Sequence, residues 1–219
     1  MMSQPSVEAR VPGGPASTVV VIGLMGAGKS SLAEALAARL GWPHRDSDAD
    51  IEALLGISGA QLSDRDGVDE LHALEEEVLL SALEAPGPLV VSAAGWVVES
   101  PRCRRRLRER AIVVWIDLPV TVLLDRMQQG THRRPMTSVE ATDLARRRDP
   151  LFREVADLRL DGRDPTSRQV ESVLDLLVAH RLRGGPPSTR SETRPSAVSI
   201  AAPRTSAPRR GSDDQKNTR

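Results

Sequence analysis

Residues 23–31 read GLMGAGKSS, and they follow the apolar run TVVVI and precede LAEALAARL. Lys29 stands out, because the chain otherwise carries positive charge on arginine and its one other lysine is Lys216, close to the C-terminus. Gly23 to Ser30 fits G-x-x-x-x-G-K-[ST], placed where that pattern must be, after a strand and before a helix. Glycines there let backbone N–H groups curl around phosphate oxygens, and the helix N-terminus adds partial positive charge. Gly26, Ala27, Gly28, Ser30 and Ser31 would line the phosphates. Lys29 would reach the β and γ phosphates as a flexible point charge, a task for which the planar fork of arginine is no substitute. The Ser30 hydroxyl would ligate Mg2+. The chemistry expected is binding of Mg·ATP, with Lys29 taking part in phosphoryl transfer. The bland alternative is an ordinary glycine-rich strand-to-helix turn.

Phosphate binding names no reaction. The next carboxylates are Asp46 and Asp48 in the stretch DSD. In an open α/β sheet, ligands bind beyond the carboxyl ends of the strands. Asp46 could complete the Mg2+ shell through water, and Asp48 could take the proton of an attacking hydroxyl. The alternative is that Asp48 or a neighbour merely caps the next helix. Other reactive types carry less. His44, His72, His132 and His180 lack metal-ligand spacing. Cys103, the one cysteine, has no His/Cys cluster around it and no partner for an internal disulfide. The run RCRRRLRER at 102–110 contains Glu109 and no aromatic residue, so it reads as a solvated helix face rather than a nucleic-acid patch.

These groups need a scaffold, and the pattern around them supplies one. Strands are predicted at 18–23, 43–47, 88–93, 111–117 and 156–161, and helices at 29–40, 48–55, 68–84, 102–109, 119–128, 139–149 and 166–181. Apolar strands alternating with helices indicate a parallel sheet covered on both faces: a three-layer α/β/α fold of the P-loop NTPase type, mostly five-stranded, with a lid segment. The domain is expected over 18–182. Residues 1–17 read as a flexible N-terminus. Residues 183–219, rich in Pro, Ser, Thr and Arg, cannot bury enough apolar area to offset ordering entropy and read as a disordered tail. The 219 residues carry no net charge, 39% hydrophobic residues and 2% aromatics. Nucleic-acid and membrane-surface partners are therefore not expected. With no apolar leader or bilayer-length run, a cytoplasmic monomer acting on a small molecule is the expectation.

The ordered set GLMGAGKSS, RLGWPHRDSDADIE, LEEEVL (74–79), RRP (133–135) and DPLFREVADLRLDGRDP (149–165) resembles the shikimate kinase family of P-loop small-molecule kinases, over roughly residues 18–180. The resemblance implies ATP-dependent phosphorylation of a ring hydroxyl on a cyclic hydroxy acid, with a mobile lid closing over the phosphates. It implies that Asp48 meets the substrate hydroxyl, that Arg134 is the lid arginine facing the phosphates, that Arg163 lies near adenine, and that Arg148 pairs with the substrate carboxylate. The bland alternative for Arg134 is an exposed, solvated arginine.

The chain departs from the family on the acceptor side. Leu71-His72-Ala73-Leu74-Glu75 stands where the family has a phenylalanine and arginines before Leu-Glu. The first of those arginines normally helps grip the carboxylate. Neutral His72 cannot make that bidentate fork, and its loss predicts carboxylate binding weaker by about ten- to hundred-fold. Ser92-Ala93-Ala94-Gly95-Trp96 replaces a stretch of three glycines, and alanine at positive φ would cost ~1 kcal/mol or more. Ala94 and Gly95 remain expected substrate contacts through their backbone. Trp96 either borders the substrate pocket or packs under the sheet edge. Two other functions stay open: a kinase for a different small hydroxylated acceptor, and a nucleotide-binding protein without turnover. A nucleoside monophosphate kinase fits the arginine set less well.

Overall fold

A computed structural model of the chain describes residues 18–129 and 137–182. Five strands form one sheet: β1 (Thr18–Ile22), β2 (His44–Asp46), β3 (Leu89–Ser92), β4 (Ala111–Asp117) and β5 (Leu158–Asp161). Their order is β2-β3-β1-β4-β5, and every pairing is parallel. Among the described residues there are eight helices: α1 (Lys29–Leu40), α2 (Ser47–Leu55), α3 (Gly59–Asp66), α4 (Val68–Glu84), α5 (Pro101–Arg110), α6 (Val120–Gln129), α7 (Ser138–Val155) and, after the last strand, α8 (Thr166–Leu182). A short 3-10 turn spans Val97–Glu99.

The sheet's position follows from its residues. All of β1 and β3 is buried, and Val19 to Ile22 are wholly inaccessible. A strand with both faces dry must be covered by helices on both sides, which is why it reads as a continuous apolar run rather than an alternating one. Leu32 and Leu36 of α1, Leu79 of α4 and Leu107 of α5 supply the fully buried cover. Few aromatics are needed; Trp115 and Phe152 pack face to face at 5.8 Å between ring centres.

Strand placement agrees with the sequence expectation: β4 has the expected bounds, and the other four strands are one or two residues shorter at an end. Three helical features differ. α3 is additional, and it begins with a reciprocal cap in which Ser58 and Gln61 exchange side-chain and backbone bonds. The Val97–Glu99 turn is also additional. α7 runs past the expected stop at Asp149, straight through Pro150, to Val155. Phe152 and Val155 are buried in that extension, and their burial outweighs the backbone bond that proline lacks. Arg134, the expected lid arginine, and the expected terminal segments 1–17 and 183–219 lie outside the described residues.

Candidate active site

Because the strands are all parallel, their carboxyl ends gather at one edge, and β2, β3 and β1 lie side by side there. The turn leaving β1 makes a phosphate cradle. Gly26 and Gly28 have φ of 85° and 100°, values that side chains oppose. Gly23 has no room for a side chain, since a Cβ would stand 2.7 Å from the Ile116 carbonyl oxygen. Gly28 caps α1 without any side-chain bond to the first helical N–H groups, which leaves them to an anion. Ala27 is buried under the loop, with its N–H donating to Leu24 O at 3.1 Å. Lys29 Nζ folds back on Leu24 O at 3.2 Å, and Ser30 and Ser31 are exposed at the mouth. This cradle fits a nucleotide's phosphates.

Asp46 ends β2 directly beside Ser92 of β3. The Ser30 hydroxyl donates to Asp46 Oδ2 at 2.7 Å, and the Ser92 hydroxyl donates to the same oxygen. Ser92 Oγ lies 3.2 Å from His44 Nε2, so with its own proton given to Asp46 it is set to accept from the imidazole. Asp46 Oδ1 takes the Asp48 and Ala49 N–H groups at 2.9 and 3.4 Å. Burial alone would raise the Asp46 pKa, but the bonds from Ser92, Ser30 and the two backbone groups outweigh it and hold the carboxyl below its usual range. An ionised carboxylate beside a hydroxyl at the phosphate cradle is a hard-oxygen pair of the kind Mg2+ takes. The helix cap on α2 is therefore Asp46, not Asp48. Asp48 sits exposed in the first turn of α2, with its carboxylate not used as that cap.

The residues expected on the acceptor side come from four separate elements. Asp48 comes from α2, His72 and Glu75 from α4, Gly95 and Trp96 from the turn after β3, and Arg148 from α7. Glu75 is 9% exposed, and its Oε2 is buried without a hydrogen-bond partner. Burial first, then the nearby Asp48 charge, push its pKa up to about 7, against the pull of Arg148 and Lys29. Arg148 is mostly buried and donates from Nε to Glu99 Oε1 at 2.7 Å, while Arg147 reaches Glu99 Oε2 at 3.3 Å. Burial lowers the Arg148 pKa, and Glu99 works against that shift. His72 stacks on Trp96 with ring centres 4.2 Å apart and planes 8° from parallel. Burial and then Arg148 depress its pKa, against the pull of Glu99 and Asp69. Trp96 thus borders this region rather than packing under the sheet edge.

The former glycine stretch also has a spatial explanation. Ala93 continues the β3 ladder, donating its N–H to Val21 O at 3.1 Å, and both Ala93 and Ala94 are buried. Gly95 has no room for a methyl group: a Cβ would stand 2.9 Å from Gly23 O and 3.4 Å from Arg148 Nη1, and its φ lies outside the left-handed region. What this turn demands of glycine is space at one position.

The expected adenine side is only partly assembled. Arg163 is exposed in the turn after β5 and forks onto Asp161, with Nη2 to Oδ2 at 2.6 Å. Arg126 of α6, not singled out by sequence, ties that turn to the cradle by donating to Gly162 O at 2.9 Å and Ala27 O at 3.4 Å. Arg134 lies outside the described residues. Sequence reading also passed over Glu75, Ser92 and Glu99. Glu75 lay inside a quoted motif, whereas nothing local marked Glu99 as the partner of a residue 49 positions later.

A glycine cradle, a lysine, a hydroxyl–carboxylate pair and a second carboxylate, all at the carboxyl edge of a 2-3-1-4-5 parallel sheet, define a P-loop phosphotransferase for small molecules. The chain belongs to the shikimate kinase family, whose model matches residues 25–178. It is 35% identical over 166 residues to the shikimate kinase of Tolumonas auensis, covering 73% of this chain and 95% of that protein. It is 40% identical over 149 residues to that of Paracidovorax citrulli, covering 65% of this chain and 81% of that protein. Among solved structures, shikimate kinase from Acinetobacter baumannii in complex with shikimate matches with a TM-score of 0.69 at 28% identity, over 75% of this chain and 94% of that one. The enzyme is accordingly an ATP- and Mg2+-dependent kinase with an alcohol acceptor. Among the described residues, no helix is long and apolar enough to cross a membrane.

Proposed function

We propose that the chain transfers the γ-phosphoryl group of Mg·ATP to a ring hydroxyl of a cyclic hydroxy acid, with shikimate the first acceptor to test. The observation that supports this best is the placement of Asp48 and Glu75 on one side of the cradle and Arg148 on the same side, next to Gly95. Asp48 would accept the proton of the attacking hydroxyl, and a carboxylate exposed at a helix start is suited to that. Lys29 would stabilise charge on the transferring group, and the N–H groups of residue 26 and residues 28–31 would hold the phosphates. Ser30, and Asp46 through water, would keep Mg2+ on the phosphates, the ion neutralising charge there. Arg148 would steer the acceptor by the guanidinium edge not used by Glu99. Arg134 would complete the charge clamp from the lid. We infer a monomer for which 18–182 is the working domain.

The test is turnover of ATP with shikimate, with the product identified by mass, in wild type and Lys29→Ala. Loss of the charge that stabilises the transition state should lower turnover by at least ~10³-fold in the variant while the fold stays intact by circular dichroism. Wild-type rates in Lys29→Ala would refute the assignment of the cradle.

A further inference from the structure

β2 is an edge strand, and its residues are His44, Arg45 and Asp46. Residues two apart on a strand share a face, so His44 and Asp46 point the same way. The register sets Asp46 beside Ser92 and His44 beside Val90, earlier on β3. The Ser92 side chain therefore stands between a histidine and a carboxylate. Its hydroxyl bonds to Asp46 Oδ2, and its Oγ lies 3.2 Å from His44 Nε2. Chemistry sets the direction of both bonds. Asp46 is held below the usual carboxylate range, so it is ionised and can only accept. Ser92 has one proton and gives it to Asp46. The contact with His44 then needs an N–H on His44 Nε2. A bare Nε2 would compete for the Ser92 proton, because a hydroxyl rotates toward whichever acceptor is offered. A proton on Nε2 removes that choice, and each donor in such a chain strengthens the next.

Asp46 accepts from four donors among the described residues. Two are the N–H groups of Asp48 and Ala49 in the helix that Asp46 caps, one is the Ser30 hydroxyl at 2.7 Å, and one is the Ser92 hydroxyl. Ser92 is the donor that ties the carboxylate to the neighbouring strand. We propose that His44 is a positioning residue for the Mg2+ site: its Nε2–H keeps Ser92 turned toward Asp46, and Asp46 so fixed keeps Ser30 in place. This rests on the reading of Ser30 and Asp46 as the Mg2+ pair. His44 acts through Ser92 and needs no contact with the ion or with the acceptor.

The experiment reads binding of a fluorescent ADP analogue to the full chain at one pH, first in EDTA and then across a Mg2+ titration. His44→Leu removes the donor. It should raise the Mg2+ concentration at half-maximal binding about threefold or more, the scale of one hydrogen bond, and change the metal-free affinity by less than about twofold. His44→Gln offers an amide N–H near the same point and should restore the wild-type midpoint. In a Ser92→Ala background, His44→Leu should add nothing, because its effect passes through Ser92. An unchanged midpoint in His44→Leu overturns the proposal and leaves the Mg2+ pair standing. Equal losses with and without Mg2+ make His44 merely structural and overturn it, as does an additive loss in the double variant. Wild-type binding that does not depend on Mg2+ removes both the proposal and the pair. Where a variant fails to fold, the wild type decides: a long-range proton–nitrogen NMR spectrum should show a proton on His44 Nε2, and a bare Nε2 refutes the chain of donors.

Discussion

Glu75 makes the stability of this protein depend on pH in an unusual direction. Its carboxyl is buried, one oxygen has no partner, and its pKa is about 7 against 4.5 for a free glutamate side chain. The folded state therefore binds this proton more tightly than the unfolded chain does. The contribution of Glu75 is fully favourable below pH 4.5, declines as pH rises, and is lost above pH 7. The full difference is roughly 3 kcal/mol, reached near pH 8. Glu75→Gln keeps the shape and cannot ionise. Its melting temperature should track the wild type near pH 5 and exceed it by about 6–12 °C near pH 8, at ~2–4 °C per kcal/mol for a domain of this size. The assay is thermal unfolding of both proteins without ligand across pH 5 to 8. All other titrating groups are common to the two chains, so the difference isolates position 75. Parallel curves would show that Glu75 does not titrate in this range and that its burial, or the field of Asp48, is less than the geometry implies.

Ser92→Ala removes one of the two hydroxyls that hold Asp46 Oδ2. The Mg2+ concentration needed for half-maximal nucleotide binding, read with a fluorescent ADP analogue, should rise several-fold, and Ser92→Thr should restore it; an unchanged Mg2+ requirement would refute the positioning role. Deletion of residues 184–219 should leave the melting temperature and ATP turnover unchanged, because the composition of that stretch supports no core. A large drop in either would move the domain boundary.

Much of the fold was legible because its signals are local. Five apolar runs of strand length, separated by helical stretches, leave little choice but a two-sided parallel sheet. The signals passed over were also local but short. Ser58 and Gln61 spell a capping box three residues apart, which is the start of α3, yet the helix spans only eight residues and buries just Leu62. At Pro150 the local rule gave the wrong answer. Proline normally ends a helix, but here two buried side chains beyond it decide the matter. That is tertiary packing overriding a backbone preference, and no window centred on the proline contains it.

The site divides along the same line. Its nucleotide half is written in backbone geometry, so one nine-residue stretch carries it: glycines at positive φ, a helix start, a lysine and a serine. The acceptor half is written in side-chain charge brought together from α2, α4, the turn after β3 and α7. Each of its members can be named from a motif, but the charge state of the whole depends on pairings that sequence order does not reveal. Arg148 was expected to pair with a substrate carboxylate, and nothing in sequence order marked Glu99, which accepts from the Nε of that guanidinium at 2.7 Å. His72 was legible as the loss of a cation, but the face-to-face stack with Trp96 that makes it a wall was not. The motif names Arg148, and only the folded chain shows that both Arg147 and Arg148 meet Glu99.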